Sequence, residues 1–148
     1  MKLKHFLKIS DFTKTQLLQV LDMSNSLKTS HREKKLKQSL SGKSLVMIFD
    51  KPSTRTRLSF EIGMQELGGI AVVLQSRDTQ LGRGEPIEDA AKVISRMCDI
   101  IMIRTFDQKS VESFSNHSCV PVINGLTNEH HPCQILADVF TFMEYIEE

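Results

Sequence analysis

Apolar residues follow two different patterns along the chain, and the pattern changes about a third of the way along. In the first third, leucines and a valine recur at helical spacing over 17–27, which predicts one amphipathic helix. We expect Ser10 and Asp11 to cap the start of that helix. The highly charged stretch 31–37 is typical of a solvated helix end rather than of a binding patch.

From residue 44 onward, short apolar runs alternate with segments of helical character. The runs that predict strands are 45–49, 70–74, 100–103 and 120–123. The segments that predict helices are 54–67, 86–97, 111–117 and a last one that begins at Pro132. Strands that are apolar throughout and separated by helices are typical of a parallel sheet covered on both faces. We therefore expect an α/β domain whose sheet has four parallel strands and helices on both faces.

Composition excludes several classes of protein. The length of 148 residues fits a single domain. Nineteen Lys and Arg against eighteen Asp and Glu give a net charge of +1, so the sequence offers no basic face for nucleic acid. No apolar run approaches the ~20 residues of a membrane span, and the first residues lack the continuous apolar stretch of a signal peptide. These features favour a cytoplasmic protein that binds neither nucleic acid nor membrane.

The cysteines agree with a reducing compartment. Cys98, Cys119 and Cys133 are odd in number, far apart and without a C-x-x-C pair, which is typical neither of a disulfide framework nor of a zinc site. Cys98 and Cys119 stand beside apolar residues. We expect these two to be buried thiols.

The segment after the first predicted strand has the features of an anion site. In an open parallel sheet, ligands bind beyond the carboxyl ends of the strands. Here Pro52 ends the strand, and Ser53 or Thr54 is placed to cap the next helix. The free N–H groups and the dipole of a helix N-terminus favour a phosphate or carboxylate, and an arginine in that turn opposes the dipole unless an anion is bound. The alternative is a capped helix whose arginines, Arg55 and Arg57, only face solvent.

Two later residues are predicted to face the same crevice. Arg104 closes the third strand, and His131 stands just before Pro132, which suits the first position of a helix. His130, one position earlier, should point elsewhere. The adjacent histidines have no i, i+4 partner and no paired cysteines, so we expect no metal site.

The predicted crevice therefore holds hydroxyls, two guanidinium groups, an imidazole and a helix N-terminus. It has no evident carboxylate base, nucleophilic cysteine motif or G-x-x-x-x-G-K-[ST] loop. Such a site binds a phosphorylated anion and stabilises negative charge that develops on an oxygen. Residue chemistry alone does not name the reaction.

The long polar segment 75–85 leaves two interpretations open. It contains two glycines and exceeds the about two to six residues usual for such a connection. Long polar loops at a ligand edge are often lids or arms that reach a neighbouring subunit. A plain surface loop fits the composition equally well.

Two motifs carry a resemblance to a known family. The run F-D-K-P-S-T-R-T-R-L-S-F-E at 49–61 closely resembles the carbamoyl phosphate signature of the transcarbamoylases. The run N-G-L-T-N-E-H-H-P-C-Q at 124–134 resembles the ornithine branch of that family, and M-I-R at 102–104 fits as well. The resemblance covers nearly the whole chain, whereas family members are roughly twice as long.

The resemblance implies a role for each matching residue. Four residues would hold the phosphate of carbamoyl phosphate: Ser53, Thr54, Arg55 and Thr56. Arg104 and His131, with Thr56, would lie near the carbonyl oxygen, and Gln134 near the carbamoyl nitrogen. Gln80 matches a position that reaches into a neighbouring subunit's site, which implies a homotrimer or a multiple of trimers.

The implied reaction is attack by the neutral δ-amine of L-ornithine on the carbamoyl carbon, giving citrulline and phosphate without cofactor, metal or covalent intermediate. In the family, a second domain grips the amino acid through an Asp-x-x-x-Ser-Met segment and a His-Cys-Leu-Pro loop, and neither occurs here. Residues 1–148 would then form the carbamoyl phosphate-binding domain and end in the helix that leads to the second domain. We expect negligible turnover from these residues alone.

Two alternatives remain at this point. The acceptor could be putrescine or another ornithine-like amine, because the missing half mostly sets acceptor choice. The chain could also be a non-catalytic anion-binding module. The sequence does not distinguish a biosynthetic from a catabolic direction.

Overall fold

A computed structural model of the chain describes residues 5–76 and 84–146. Its five helices are α1 (Lys14–Arg32), α2 (Arg55–Glu66), α3 (Ile87–Ile94), α4 (Gln108–His117) and α5 (Pro132–Ile146). Its four strands are β1 (Ser44–Phe49), β2 (Ile70–Gln75), β3 (Ile100–Arg104) and β4 (Val122–Leu126). The predicted order of strands and helices is confirmed.

The four strands form one parallel sheet in the order β2-β1-β3-β4. Alternate residues of each strand point to opposite faces, so the sheet supports two cores. The core on the α2 side consists of Leu45, Met47, Phe49, Met64 and Met102. The core on the side of α3 and α4 includes Val46, Ile48, Ala90, Ala91, Ile101, Ile103, Val111 and Phe114. The α/β prediction with helices on both faces is confirmed.

The predicted cap of the first helix is wrong. The carboxylate of Asp11 accepts hydrogen bonds from the N–H groups of Leu7 and Lys8, so it stabilises a short 3-10 turn instead. Helix α1 begins after Thr13, whose hydroxyl accepts from Gln16 N while the Gln16 side chain accepts from Thr13 N. This reciprocal capping box satisfies two N–H groups at the helix start.

The fourth strand also differs from the prediction. It begins at Val122 rather than at residue 120, because Pro121 has no N–H to donate to the sheet. It continues to Leu126 through a bulge: Ile103 pairs with Asn124, but Arg104 pairs with Leu126. The extra residue in β4 is Gly125.

Gly125 fits this bulge because it has no side chain. A Cβ atom there would collide with the sulfur of Met102, which is fully buried beneath it. The bulge shifts the pairing of Arg104 by one residue. It therefore shapes the edge of the sheet at which Arg104 ends β3.

The expected burial of the cysteines is only partly correct. Cys119 is exposed and Cys98 is partly buried. Cys119 lies in the turn that follows α4, where its thiol donates to the carbonyl oxygen of Ser95 at 3.1 Å. No helix within 5–76 or 84–146 is long and apolar enough to cross a bilayer.

Candidate functional site

A cavity of about 540 Å³ opens at the carboxyl ends of the strands on the α2 side of the sheet. Its lining residues are Pro52, Ser53, Thr54, Arg55, Thr56, Ser59, Phe60, Arg104, Leu126, His131, Cys133, Gln134 and Ala137. All predicted site residues except Gln80 are among them, and Gln80 lies outside the described residues. Three separate connections of the chain thus meet at one point, as expected for a parallel sheet.

The N-terminus of α2 faces this cavity with unsatisfied backbone donors. The first backbone hydrogen bond of the helix joins Leu58 N to Thr54 O at 3.0 Å. The N–H groups of residues 55–57 therefore have no acceptor within the helix. Thr54 occupies the N-cap position, but its side chain makes no capping hydrogen bond. The predicted N-cap position of Thr54 is therefore confirmed, but no hydroxyl cap forms, and the free N–H groups of the first turn could donate to an anion.

The two arginines of this turn have different surroundings. Arg57 Nε contacts Glu61 Oε2 at 3.0 Å, an exposed i, i+4 ion pair. Arg55 instead lines the cavity, where none of the lining residues given above is acidic. Both side chains are exposed, but only Arg55 also lines the cavity, so the alternative that an arginine faces solvent alone fits Arg57 better than Arg55.

Arg104 reaches the cavity from the end of β3. Its Nη1 donates to the hydroxyl oxygen of Thr56 at 3.2 Å, which links β3 to α2. Its Nε is buried and has no hydrogen-bond partner among the described residues. Burial, and secondarily the positive charge of Arg55, lower the pKa of Arg104. A bound anion would satisfy the free N–H and relieve the repulsion between the two guanidinium groups.

His131 enters the cavity from the N-terminus of α5. Its carbonyl oxygen accepts from Gln134 N at 3.1 Å and from Ile135 N at 3.2 Å. Burial, followed by the charge of Arg104, lowers the pKa of His131, and Asp138 opposes this shift. The imidazole is therefore neutral near pH 7, and it can donate a hydrogen bond without carrying charge. His130 is exposed and does not line this cavity, so its predicted direction is confirmed; it lines a second groove, to which His131 also contributes.

Gln134 and Cys133 complete the α5 side of the cavity. Gln134 Nε2 donates to Asp138 Oδ1 at 2.8 Å, which leaves the amide oxygen of Gln134 as the end that can accept. Cys133 was not among the predicted site residues. Its position in the first turn after Pro132 is the signal that could have identified it. Burial raises the pKa of Cys133 to about 11, so its thiol is neutral and a poor nucleophile.

Ser59 and Phe60 were also missed. They stand three and four residues after Thr56, a spacing that places them on the same face of α2. Among residues 5–76 and 84–146, no group of three His, Cys, Asp or Glu side chains is arranged to hold a metal ion. The arrangement can bind an anion with several oxygens and can stabilise negative charge on a second group beside it.

Comparison with known proteins identifies relatives of this domain. Residues 4–144 match the family described as "Aspartate/ornithine carbamoyltransferase, carbamoyl-P binding domain". The chain is 59% identical over 145 residues to the ornithine carbamoyltransferase of Dechloromonas aromatica, covering 98% of this chain and 47% of that protein. The chain thus spans about half the length of the curated relatives it matches.

Solved structures show the same fold. The ornithine carbamoyltransferase of Burkholderia thailandensis superposes with a TM-score of 0.92 at 55% identity, over 97% of this chain and 49% of that one. The catalytic subunit of the M. jannaschii aspartate transcarbamoylase superposes with a TM-score of 0.90 at 34% identity, over 99% of this chain and 48% of that one. The fold is therefore shared by relatives named for two different amino-acid substrates.

Proposed function

The chain belongs to the aspartate/ornithine carbamoyltransferase family through its carbamoyl phosphate-binding domain, and from this premise we propose that it binds carbamoyl phosphate for transfer of the carbamoyl group to the δ-amine of L-ornithine. The products would be citrulline and phosphate. The observation that carries the proposal is the cavity at the N-terminus of α2, where two arginines meet with no acidic lining residue. The positive charge of such a cavity complements the negative charge of a phosphorylated substrate, and no acidic lining residue repels that substrate.

The phosphate would occupy the first turn of α2. That end of the cavity is lined by Ser53, Thr54, Arg55 and Thr56, which offer three hydroxyls, one guanidinium and the free N–H groups of the first turn of α2. Charge-assisted hydrogen bonds from such groups are stronger than neutral ones. They also stabilise the phosphate as it gains charge on leaving.

The carbonyl oxygen would lie between Arg104, His131 and the hydroxyl of Thr56. Thr56 and Arg104 already lie within hydrogen-bond distance of each other, and His131 lines the same cavity. When the amine attacks, negative charge develops on that oxygen, and a single donor of this kind is typically worth about 2.7–4 kcal/mol. Gln134 would accept a hydrogen bond from the carbamoyl NH₂ group.

None of the described residues that line the cavity is a carboxylate that could remove a proton from the amine, so in this proposal the amine arrives in its neutral form. In this proposal the acceptor half of the site belongs to a second domain, residues 1–148 form the carbamoyl phosphate-binding domain, and the reaction serves arginine metabolism in the cytoplasm. Gln80 would complete the site of a neighbouring subunit in a homotrimer or a multiple of trimers. No cofactor or metal enters the proposed reaction.

The first test is a calorimetric titration of the 148-residue chain with carbamoyl phosphate. Arg55→Ala should weaken binding by about tenfold to a hundredfold, the range expected for lost charged hydrogen bonds. The matched control is Arg57→Ala, which removes an arginine from the same turn and should change affinity less than about twofold, since Arg57 is paired with Glu61. Equal losses in both variants, or no binding to the unaltered chain, would contradict the proposal.

Acceptor choice needs the full-length protein. Formation of citrulline from ornithine, in excess over carbamoylation of putrescine, would support the proposed acceptor. The reverse preference would favour the putrescine alternative. Binding without carbamoylation of either amine by the full-length protein would favour the non-catalytic anion-binding module.

A further inference from the structure

The imidazole of His131 lacks the hydrogen bond that usually orients a functional histidine. A functional or metal-bound histidine commonly has its second ring nitrogen bonded to a carboxylate or a backbone carbonyl, which fixes the ring. Here Nδ1 of His131 is buried and finds no partner among the described residues. No hydrogen bond to Nδ1 holds the ring, so the backbone that carries His131 has a larger part in setting its direction.

That backbone is held on the N-terminal side by Thr127. The N–H of Thr127 donates to the carbonyl oxygen of His130 at 2.9 Å. The N–H of His130 donates in turn to the hydroxyl oxygen of Thr127 at 3.0 Å. Because the His130 carbonyl belongs to the same rigid peptide plane as the nitrogen of His131, these bonds fix how the chain enters His131.

The hydroxyl of Thr127 is itself fixed by Gln108, the first residue of α4. Thr127 Oγ1 donates to Gln108 Oε1 at 2.9 Å. Gln108 Nε2 faces Glu112 Oε1 at 3.4 Å, and because a carboxylate only accepts, this contact sets which end of the Gln108 amide faces Thr127. Gln108 and Thr127 are each only 3% exposed.

Asn124 of β4 joins the same network. Its Nδ2 lies 2.9 Å from Leu7 O, 3.2 Å from Gln108 Oε1 and 3.4 Å from His130 O. Asn124 is fully buried. Burying three polar side chains is costly compared with apolar residues of the same shape, so a network of this kind calls for a reason beyond stability.

We infer that Gln108, Asn124 and Thr127 are positioning residues that hold the His130–His131 peptide and thereby aim the imidazole of His131 into the cavity. None of the three lines that cavity. What the imidazole contacts there rests on the proposed function, whereas the positioning itself does not. The sequence alone gave no sign of Gln108, which lies 23 residues before His131.

The test compares Thr127→Val with Thr127→Ser. Valine keeps the shape of the side chain and removes the hydroxyl, whereas serine keeps the hydroxyl. Val111→Ala is the control for stability alone, because Val111, a residue of α4, is fully buried in the core and makes no hydrogen bond to this network. The variants are compared by exchange of the His130 amide hydrogen, by NMR titration of the His131 ring and by affinity for carbamoyl phosphate.

In Thr127→Val we expect about tenfold faster exchange of the His130 amide and about tenfold weaker binding, as for the loss of one or two buried hydrogen bonds. The pKa of His131 should rise toward its ordinary value, because a ring that moves out of its buried place escapes Arg104 as well. Asp138, the other charged group that acts on His131, is unchanged in all variants. Thr127→Ser should restore all three properties.

The inference is overturned if Thr127→Val behaves like Val111→Ala, with lower stability but the wild-type titration of His131 and the wild-type affinity. Failure of the unaltered chain to bind carbamoyl phosphate would count against the proposed function alone. In that case the His130 exchange and the His131 titration still decide whether the network positions the ring.

Discussion

The two ends of the central strand pair β1 and β3 differ in how completely their polar groups are satisfied. At the amino end, the carboxylate of Asp99 accepts from Ser44 N at 2.8 Å, from Ser44 Oγ at 3.0 Å and from Lys43 Nζ at 2.9 Å. These bonds, that of Lys43 foremost, lower the pKa of Asp99. At the carboxyl end, Arg104 stands opposite Phe49 with a buried Nε that has no partner among the described residues.

The helix starts show the same contrast. Thr13 caps α1 through a capping box, and the carboxylate of Asp107 caps α4 by accepting from Ser110 N at 3.0 Å. Thr54 stands at the corresponding position of α2 without a capping bond. The two helices α1 and α4, whose N-termini do not line the cavity, thus have a side-chain cap, although α3, which begins after Pro86, has none. The N-terminus of α2 leaves donors free where we propose that an anion binds.

The largest expected effect comes from Arg104→Met, which removes the charge and keeps most of the side-chain volume. We expect affinity for carbamoyl phosphate to fall by at least about a hundredfold, as for loss of a strong charged donor. The free energy of unfolding should not decrease, because the substitution removes a buried unpaired N–H and the repulsion with Arg55. Calorimetry and urea denaturation measure the two quantities.

The control for Arg104→Met is a substitution at the opposite end of the same strand pair. Asp99→Asn weakens a site whose bonds are all internal, so it should lower the midpoint of thermal unfolding and leave the affinity unchanged. If Arg104→Met destabilised the chain as Asp99→Asn does, the difference between the two ends would disappear.

Gly125, in the bulge of β4, and Gly63, in α2, should respond in opposite ways to substitution by alanine. Gly125→Ala should cost about 1–3 kcal/mol by overpacking against Met102, and it should weaken ligand binding because it disturbs the bulge beside Arg104. Gly63→Ala in α2, where a Cβ meets nothing within 4 Å, should instead raise stability by about 0.5–1 kcal/mol. Urea denaturation of both variants checks the opposite signs.

Contacts between residues that are close in the sequence could be predicted better than contacts between residues that are far apart in it. The run from Ser53 to Thr56 could be recognised because strand end, helix start and anion donors are consecutive. The hydrogen-bond donors to Asp11 could not be predicted in this way, because a carboxylate can accept from N–H groups that precede it in the sequence as well as from the helix that follows it. The role of Gln108 was not predicted, because nothing in the sequence near position 108 indicates that its side-chain amide contacts Thr127, which follows β4.

The predicted boundaries of the fourth strand were wrong for a related reason. Apolar character alone extended the fourth predicted strand back to residue 120, whereas the N–H groups and the bulge determine where pairing begins and ends. The exposure of Cys119 likewise depends on where the turn after α4 lies, and apolar neighbours in the sequence do not reveal this.

The two N-cap threonines allow a smaller and more specific comparison. Thr13→Ala should reduce the free energy of unfolding by about 1 kcal/mol, the usual value of a capping side chain. Thr54→Ala should reduce it by less than about 0.5 kcal/mol, because its side chain makes no capping bond, yet it should weaken binding of carbamoyl phosphate. Equal losses of stability would show that the hydroxyl of Thr54 caps α2 after all.

The smallest expected effect is the pH dependence that two partly buried histidines give to stability. Burial lowers the pKa of His5, which accepts a hydrogen bond from Val122 N, although Asp11 opposes the shift. Burial and Arg104 lower the pKa of His131. In both cases the unfolded chain takes up protons first as the pH falls. Stability is therefore fully present above the unfolded value of about 6.5 and declines as the pH drops through it toward the folded values.

Ligand binding should separate these two contributions. Urea denaturation between about pH 5 and pH 8 should show a shallower slope in His5→Asn and in His131→Asn than in the unaltered chain. An anion bound beside Arg104 raises the pKa of His131 toward its unfolded value, because negative charge favours the imidazolium form. NMR titration with saturating phosphate should therefore move the His131 midpoint upward and leave that of His5 unchanged. A common shift of both midpoints would mean that the anion binds elsewhere, and the contrast between the completed and the open end of the sheet would lose its support.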